Sequence, residues 1–128
     1  MDSTQIPGDF CSRILGFDKN VRFAGVADKF GKIVMAEYRK GVVPLLSDEE
    51  SALSIIQSSI RIGTRKTLQP ALGKIVYSVT LYEKVVLANV PLANQNFLTI
   101  SFDTKADHDT VIMKKILPFI KKEGLRKC

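Results

Sequence analysis

Histidine occurs once in this chain, cysteine twice and tryptophan not at all, and the first two scarcities each remove a class of function. With His108 as the only imidazole, no His-rich metal site and no Ser-His-Asp relay can be assembled elsewhere. Cys11 lies near one end and Cys128 is the last residue, so no spacing defines a disulfide framework and a reducing compartment is expected. A prenylation box needs its cysteine four residues from the end, which excludes Cys128. The opening Met-Asp-Ser-Thr-Gln is polar and lacks the basic and apolar regions of a secretory signal. No apolar run approaches the ~18 residues of a membrane span. A soluble, cytoplasmic protein is expected.

Phosphate-binding and redox motifs are missing as well: there is no GxGxxG and no CxxC. Gly73-Lys74 is followed by Ile75, with Gly63 too far upstream, whereas a phosphate loop runs Gly, four residues, Gly-Lys, then Ser or Thr. Asp107-His108-Asp109 offers ligand types, but adjacent helical residues point in different directions, and first-turn acids beside a solvated histidine account for them. No catalytic residue, metal site or cofactor is expected, and so no enzyme.

What is present is enough for a core. The 128 residues make one domain, and their 45% hydrophobic content needs no disulfide or metal staple at a size that buries about two-thirds of the unfolded surface. The net charge of +6 is local: residues 1–64 are balanced, and residues 65–128 carry all of the excess. Lys114, Lys115, Lys121, Lys122, Arg126 and Lys127 face only Glu123, so most of the excess belongs to one helix C-terminus and the tail after it, where cations suit the helix dipole. No aromatic lies beyond Phe119 among these cations, so nucleic-acid binding through them is not expected.

The pattern predicts eight elements. Asp9 reads as an N-cap for a short helix carrying Phe10, Ile14 and Phe17 and ending near Asp18. Strands over 21–27 and 32–38 flank Asp28-Lys29-Phe30-Gly31, a hairpin turn whose glycine can take a positive φ. Ser47-Asp48-Glu49-Glu50 is a capping box, with all three acids at the positive end of the dipole. The helix it opens should run to about Thr67 or Leu68, with Pro70 and Gly73 as stops. At ~100° per residue, Ala52, Leu53, Ile55, Ile56, Ser59, Ile60, Ile62 and Gly63 fill about half its circumference. Covering one sheet needs a stripe only a little over ~100° wide, so something else is expected to share this helix, with Ser59 and Gly63 allowing close approach. Residues 74–82 alternate with a period of two, Glu83-Lys84 turns into a strand over 85–90, residues 91–96 loop, and 97–102 form the fifth strand. The unbroken runs Ile33-Val34-Met35-Ala36 and Val85-Val86-Leu87-Ala88 predict strands covered on both faces. A last helix begins near Asp107, buries Ile112, Ile116, Phe119 and Ile120, and should kink or end at Pro118.

This order, α-β-β-α-β-β-β-α, with Arg22-Phe23-Ala24-Gly25-Val26-Ala27 leading to Gly31-Lys32-Ile33-Val34, the capped long helix, Leu72-Gly73-Lys74 entering a three-stranded meander, and Asp107-His108-Asp109 at the last helix, resembles a roadblock/LC7 domain. More narrowly it resembles a small archaeal family of that shape. The resemblance spans most of the chain, taken as a single domain over 1–120 followed by a basic tail over 121–128. It implies an α+β fold with a central five-stranded antiparallel sheet, the long helix on one face and the terminal helices on the other. It also implies a homodimer formed through the long helix and the strand after it, and a non-enzymatic regulatory or scaffold role with a protein partner, often a small GTPase.

The expected dimer interface is Ala52, Ile55, Ser59, Ile62, Gly63, Tyr77 and Val79. Arg61, Arg65 and Lys66 form a weaker candidate for an acidic or phosphate-bearing partner, against the plainer reading of a solvated helix C-terminus. A PAS-like or profilin-like sensor would share the sheet and the meander, though with several short helices where one capped helix is read. That alternative places a ligand between sheet and long helix, lined by Phe23, Tyr77 and Tyr82.

Overall fold

The computed structural model describes residues 5–126. Helix α1 (Phe10–Leu15) precedes the hairpin of β1 (Val21–Ala27) and β2 (Ile33–Tyr38). The long helix α2 (Asp48–Arg65) comes next, continued by a 3-10 turn and the short α3 (Gln69–Leu72). Strands β3 (Ser78–Leu81), β4 (Val86–Pro91) and β5 (Phe97–Phe102) form the meander, and α4 (His108–Val111), a π-helical turn (Ile112–Ile116) and α5 (Leu117–Lys122) close the chain. The strands make one sheet in the order β2-β1-β5-β4-β3, with every neighbouring pair antiparallel.

The two sheet faces are filled unequally. On one, α1 and the last helical stretch bury Phe10, Ile14, Ile112, Ile116, Phe119 and Ile120 against Val26, Val86, Ala88, Leu98, Ile100 and Phe102. Arg13 of α1 stacks on the Phe119 ring at 4.5 Å and approaches Glu123 at 3.7 Å, tying the terminal helices together. On the other face the buried apolar cluster among the described residues is Ala27, Ile55, Ile62 and Phe97. The long helix is therefore held mostly by contacts near its middle and C-terminal half. The Ser59 hydroxyl donates to the Lys29 carbonyl, and Arg65 Nη1 donates to Ser78 Oγ at 3.5 Å. Gly31, at φ +80°, turns the β-hairpin so closely beneath α2 that a Cβ there would sit 2.9 Å from Ile56 Cα, so both the turn and the approach require glycine.

Several expectations change. Asp9 occupies the N-cap position of α1 but makes no side-chain cap bond, and α1 ends at Leu15 rather than near Asp18. The capping box forms as read: Glu50 N–H donates to Ser47 Oγ and Ser47 N–H to Glu50 Oε1. Pro70 does not stop the helical path, because it falls in the first turn of α3 where its missing N–H is not needed; Gly73, at φ +85°, is the stop. Pro118 likewise lies in the first turn of α5, and the wide π turn before it displaces the carbonyl its ring would strike. Asp107 caps as expected, accepting from Thr110 N–H at 3.3 Å.

Strand β3 covers only 78–81 rather than 74–82. The next bonded pair of the ladder would be Val76 with Pro91, but Pro91 has no N–H to give, and Arg126 instead donates to the carbonyls of Ile75, Val76 and Pro91. β2 is not covered on both faces: it is an edge strand, and Val34, the extra residue at a bulge against β1, is 54% exposed. β4, with the same kind of apolar run, lies between β3 and β5 and is buried. The stretch 121–128 begins inside α5, and its Leu125 is 1% exposed in the core. Expectations for Cys128, Lys127 and the first four residues fall outside the described residues.

Candidate interaction site

Helix α2 turns two different surfaces outward and inward. Leu53, Ile56 and Ile60, at spacings of three and four, are 55%, 43% and 62% exposed and form an apolar stripe, with Ile56 bordering the Gly31 turn and Leu53 reaching the mouth of the cleft beneath the helix. Leu72 continues the apolar exposure beyond the helix end. The expected interface residues divide around this stripe. Ala52 and Gly63 are exposed beside it, with nothing within 4 Å of where a Gly63 Cβ would stand, and Ser59 is half-buried by its bond to the Lys29 carbonyl. Ile55 and Ile62 point at the sheet, against Ala27 and Phe97. Tyr77 and Val79 turn to the opposite sheet face and pack on the large core. Tyr77 Oη donates to Asp109 Oδ1 at 3.0 Å, and this bond, with burial and the Asp109 charge, raises the phenol pKa.

The basic trio does not form one patch. Arg61 Nη2 donates to Ser58 Oγ at 3.2 Å and Arg65 reaches Ser78, so both lean over the sheet toward β3. Lys66 lies around the helix from them, beside Lys29 and Gln95 in a small hollow of about 330 Å³. Among the described residues no group of three or more His, Cys, Asp or Glu is placed to hold a metal ion, and no helix is long and apolar enough to cross a membrane.

Between α2 and the sheet lies a cleft of about 810 Å³. Phe23 and Tyr82 line it as expected for a ligand site, but Tyr77 does not, since it belongs to the other face. Tyr38 packs on Phe23 with ring centroids 4.7 Å apart and the rings tilted by 50°, and a Cβ on Gly25 would stand 2.8 Å from the Phe23 ring, so glycine there makes room for the ring. Leu87, Asn89 and Thr99 also line the cleft, with Ala52, Ile55 and Ser58 of α2 opposite.

Asn89 is the residue that pattern reading missed. It stands in the middle of a buried strand at 9% exposure, and its Nδ2 donates to Ser58 Oγ at 3.2 Å. Ser58 Oγ also lies 3.0 Å from the Ser54 carbonyl, to which it donates, and accepts from Arg61 Nη2. Asn89 Oδ1 is left buried without a hydrogen-bond partner among the described residues. Such an unpaired acceptor costs about 1–3 kcal/mol. A signal was present: an amide closing the run Val85-Val86-Leu87-Ala88 must find a polar partner once the strand is buried.

The architecture, a five-stranded antiparallel sheet with the long helix on one face and the terminal helices on the other, is that of the roadblock/LC7 domains. It superposes on the gliding protein MglB of Thermus thermophilus with a TM-score of 0.65 at 15% identity, covering 97% of this chain and 89% of that one. A roadblock/LC7 domain from Streptomyces avermitilis gives 0.62 at 11% identity over 87% and 94% of the two chains. An MglB with a tetrameric arrangement gives 0.63 at 14% identity over 96% and 98%. No protein-family model matches the chain, and no curated protein is similar to it in sequence. The likeness is one of fold.

Proposed function

We propose that this is a non-enzymatic, homodimeric regulatory or scaffold protein of the cytoplasm that works through protein–protein contacts, with a small GTPase as its partner. The observation that carries this reading is the exposed stripe Leu53, Ile56 and Ile60 on a helix whose other side buries only Ile55, Ser58 and Ile62. Isolated exposed apolar residues are ordinary, but an aligned set on one helix is the form a helix-pairing surface takes. Ala52, Ser59 and Gly63 beside the stripe are small enough for two α2 helices to approach closely. The edge of β3 adds a second, adjoining contact, since its outward backbone groups have no strand to pair with among the described residues. Self-association on this fold has a precedent in the MglB that forms a tetrameric arrangement. The GTPase rests on the roadblock resemblance, with Arg61 and Arg65 as cations available to an acidic partner surface.

Sedimentation velocity over a concentration series tests the dimer. The expected result is a dimer at micromolar concentration that Ile60→Glu converts to a monomer with unchanged circular dichroism. A wild-type chain that sediments as a monomer throughout removes the reading. For the partner, binding to a small GTPase of the same genome should differ between its GTP-loaded and GDP-loaded forms; equal binding, or none to any such GTPase, overturns that assignment.

A further inference from the structure

We propose that the outer face of the last helical stretch, Lys114, Lys115, Lys121 and Lys122, docks reversibly on an anionic lipid bilayer. The burial pattern defines that face. Val111, Ile112, Ile116, Phe119 and Ile120 are buried in the core, while Met113, Lys114, Lys115, Pro118, Lys121 and Lys122 are exposed. The π turn over Ile112–Ile116 leaves three successive residues outside, so two lysines stand together before Pro118 and two after it. No acid occurs from residue 110 to residue 122. The two that bracket the stretch are engaged: Asp109 accepts from Tyr77 Oη, and Glu123 lies 3.7 Å from Arg13. Among the described residues none of the four lysines forms an ion pair, and Lys115 Nζ, which donates to the Phe17 carbonyl at 2.9 Å, keeps its charge. The adjoining α1 stretch sets Arg13 and Lys19 against Asp9 and Asp18, so it does not cancel the face.

The helix dipole accounts for Lys121 and Lys122 in the last turn, but not for Lys114 and Lys115, about two turns earlier. The chemistry of the face selects a bilayer over a protein or a nucleic acid. All four cations are lysines, compact point charges, rather than arginines, whose planar fork recognises a shaped carboxylate or phosphate site. Protein interfaces are depleted in lysine and centre on anchors seated in pockets, whereas both hollows described above lie on the α2 side of the sheet. Phe119 is buried, so no aromatic among the lysines is available to stack on a base. An anionic bilayer asks only for charge density on a surface, and each lysine close to it strengthens binding about fivefold, the equivalent of ~1 kcal/mol. The face lies across the sheet from α2, so docking leaves the α2 surface open and does not depend on self-association.

Co-sedimentation with vesicles tests this. The full chain is expected to bind vesicles of equal parts phosphatidylcholine and phosphatidylserine saturably, to ignore pure phosphatidylcholine, and to be released as salt is raised, since exposed charges are screened. Lys114→Gln combined with Lys121→Gln and Lys122→Gln, which keeps the Lys115 bond to the Phe17 carbonyl, should weaken binding about a hundredfold, at about fivefold per charge. Lys29→Gln combined with Lys32→Gln and Lys66→Gln removes the same charge from elsewhere on the molecule and should retain the wild-type affinity. No binding to the anionic vesicles, equal binding to both kinds of vesicle, or a control as damaging as the face variant each overturns the proposal. So does tighter binding to polyglutamate or to a DNA duplex than to the vesicles at the same ionic strength, which would give the face to an acidic protein or to nucleic acid. If the triple variant fails to fold, Lys121→Gln with Lys122→Gln alone decides, with a loss of about 25-fold expected.

Discussion

Ser58 and Asn89 illustrate how one hydroxyl can determine the state of a buried amide. Ser58→Ala would leave Asn89 Nδ2 as unpaired as Oδ1 and take an acceptor from the Arg61 guanidinium, and a loss of about 1–3 kcal/mol in urea unfolding is expected. Ser58→Ala with Asn89→Leu removes both partners and should recover most of that loss; a double variant as unstable as the sum of the singles would refute the pairing. Cys11 supports a second prediction. Burial, then the nearby Glu37 carboxylate, raises its thiol pKa from 9.0 to about 11. The unfolded chain loses this proton first, so the stability Cys11 contributes is complete below about pH 9 and is lost as pH rises toward 11. The unfolding free energy should slope downward over that window, and Cys11→Ala should flatten it. At this scale the sequence reveals contacts that are close along the chain. The Ser47 and Glu50 box and the Asp107 cap are legible because their partners lie three residues away. Arg39, which donates to the carbonyls of Leu15, Asp18 and Val21, and Arg126, which reaches 75, 76 and 91, are not legible, because only the fold brings those acceptors near.

Similar apolar runs acquired different surroundings in β2 and β4, and the difference is positional. Apolar content says that a strand tolerates burial; the sheet order decides whether neighbours cover it. Likewise, the half-circumference of apolar residues on α2 correctly signalled more surface than one sheet face uses. It did not say which part faces inward, because the buried arc includes Ser58, a polar residue absent from the apolar count. The prolines misled for a related reason: Pro70 and Pro118 are tolerated once a 3-10 turn or a π turn shifts the backbone before them, and periodicity carries no trace of either. The thin packing of α2 has a dynamic consequence. Its four-residue apolar cluster holds it far less firmly than the large core holds β5, so its amides should exchange with deuterium faster than those of β5 in dilute protein. If α2 pairs between chains, that exchange should slow as concentration rises while β5 is unaffected. Equal protection of α2 and β5 at the lowest concentration would contradict the asymmetry.

For the whole molecule, the terminal helices carry the stability and α2 carries the exposed surface. The basic C-terminal stretch belongs to the stabilising side: Leu125 is inside the core, and its carbonyl accepts from Ala93 N–H. Leu125→Ala should cost about 2–5 kcal/mol, the range for emptying a buried leucine site, while Lys121→Ala and Lys122→Ala on the exposed side should change little. The free edge at β3 permits a test in which alternate residues answer differently. Tyr82 N–H donates to Val85 O across the hairpin, so the period of two places the Thr80 amide on the same side, toward β4, and the Val79 and Leu81 amides outward. Proline removes one amide at a time. Thr80→Pro should therefore unfold the chain more easily whether or not it dimerises, through the lost ladder bond. Leu81→Pro, on a side chain already exposed, should leave monomer stability nearly unchanged and weaken the dimer about tenfold or more if two β3 edges pair. A dimer indifferent to Leu81→Pro but dissolved by Ile60→Glu would place the whole association on α2 and leave the sheet edge free for another partner.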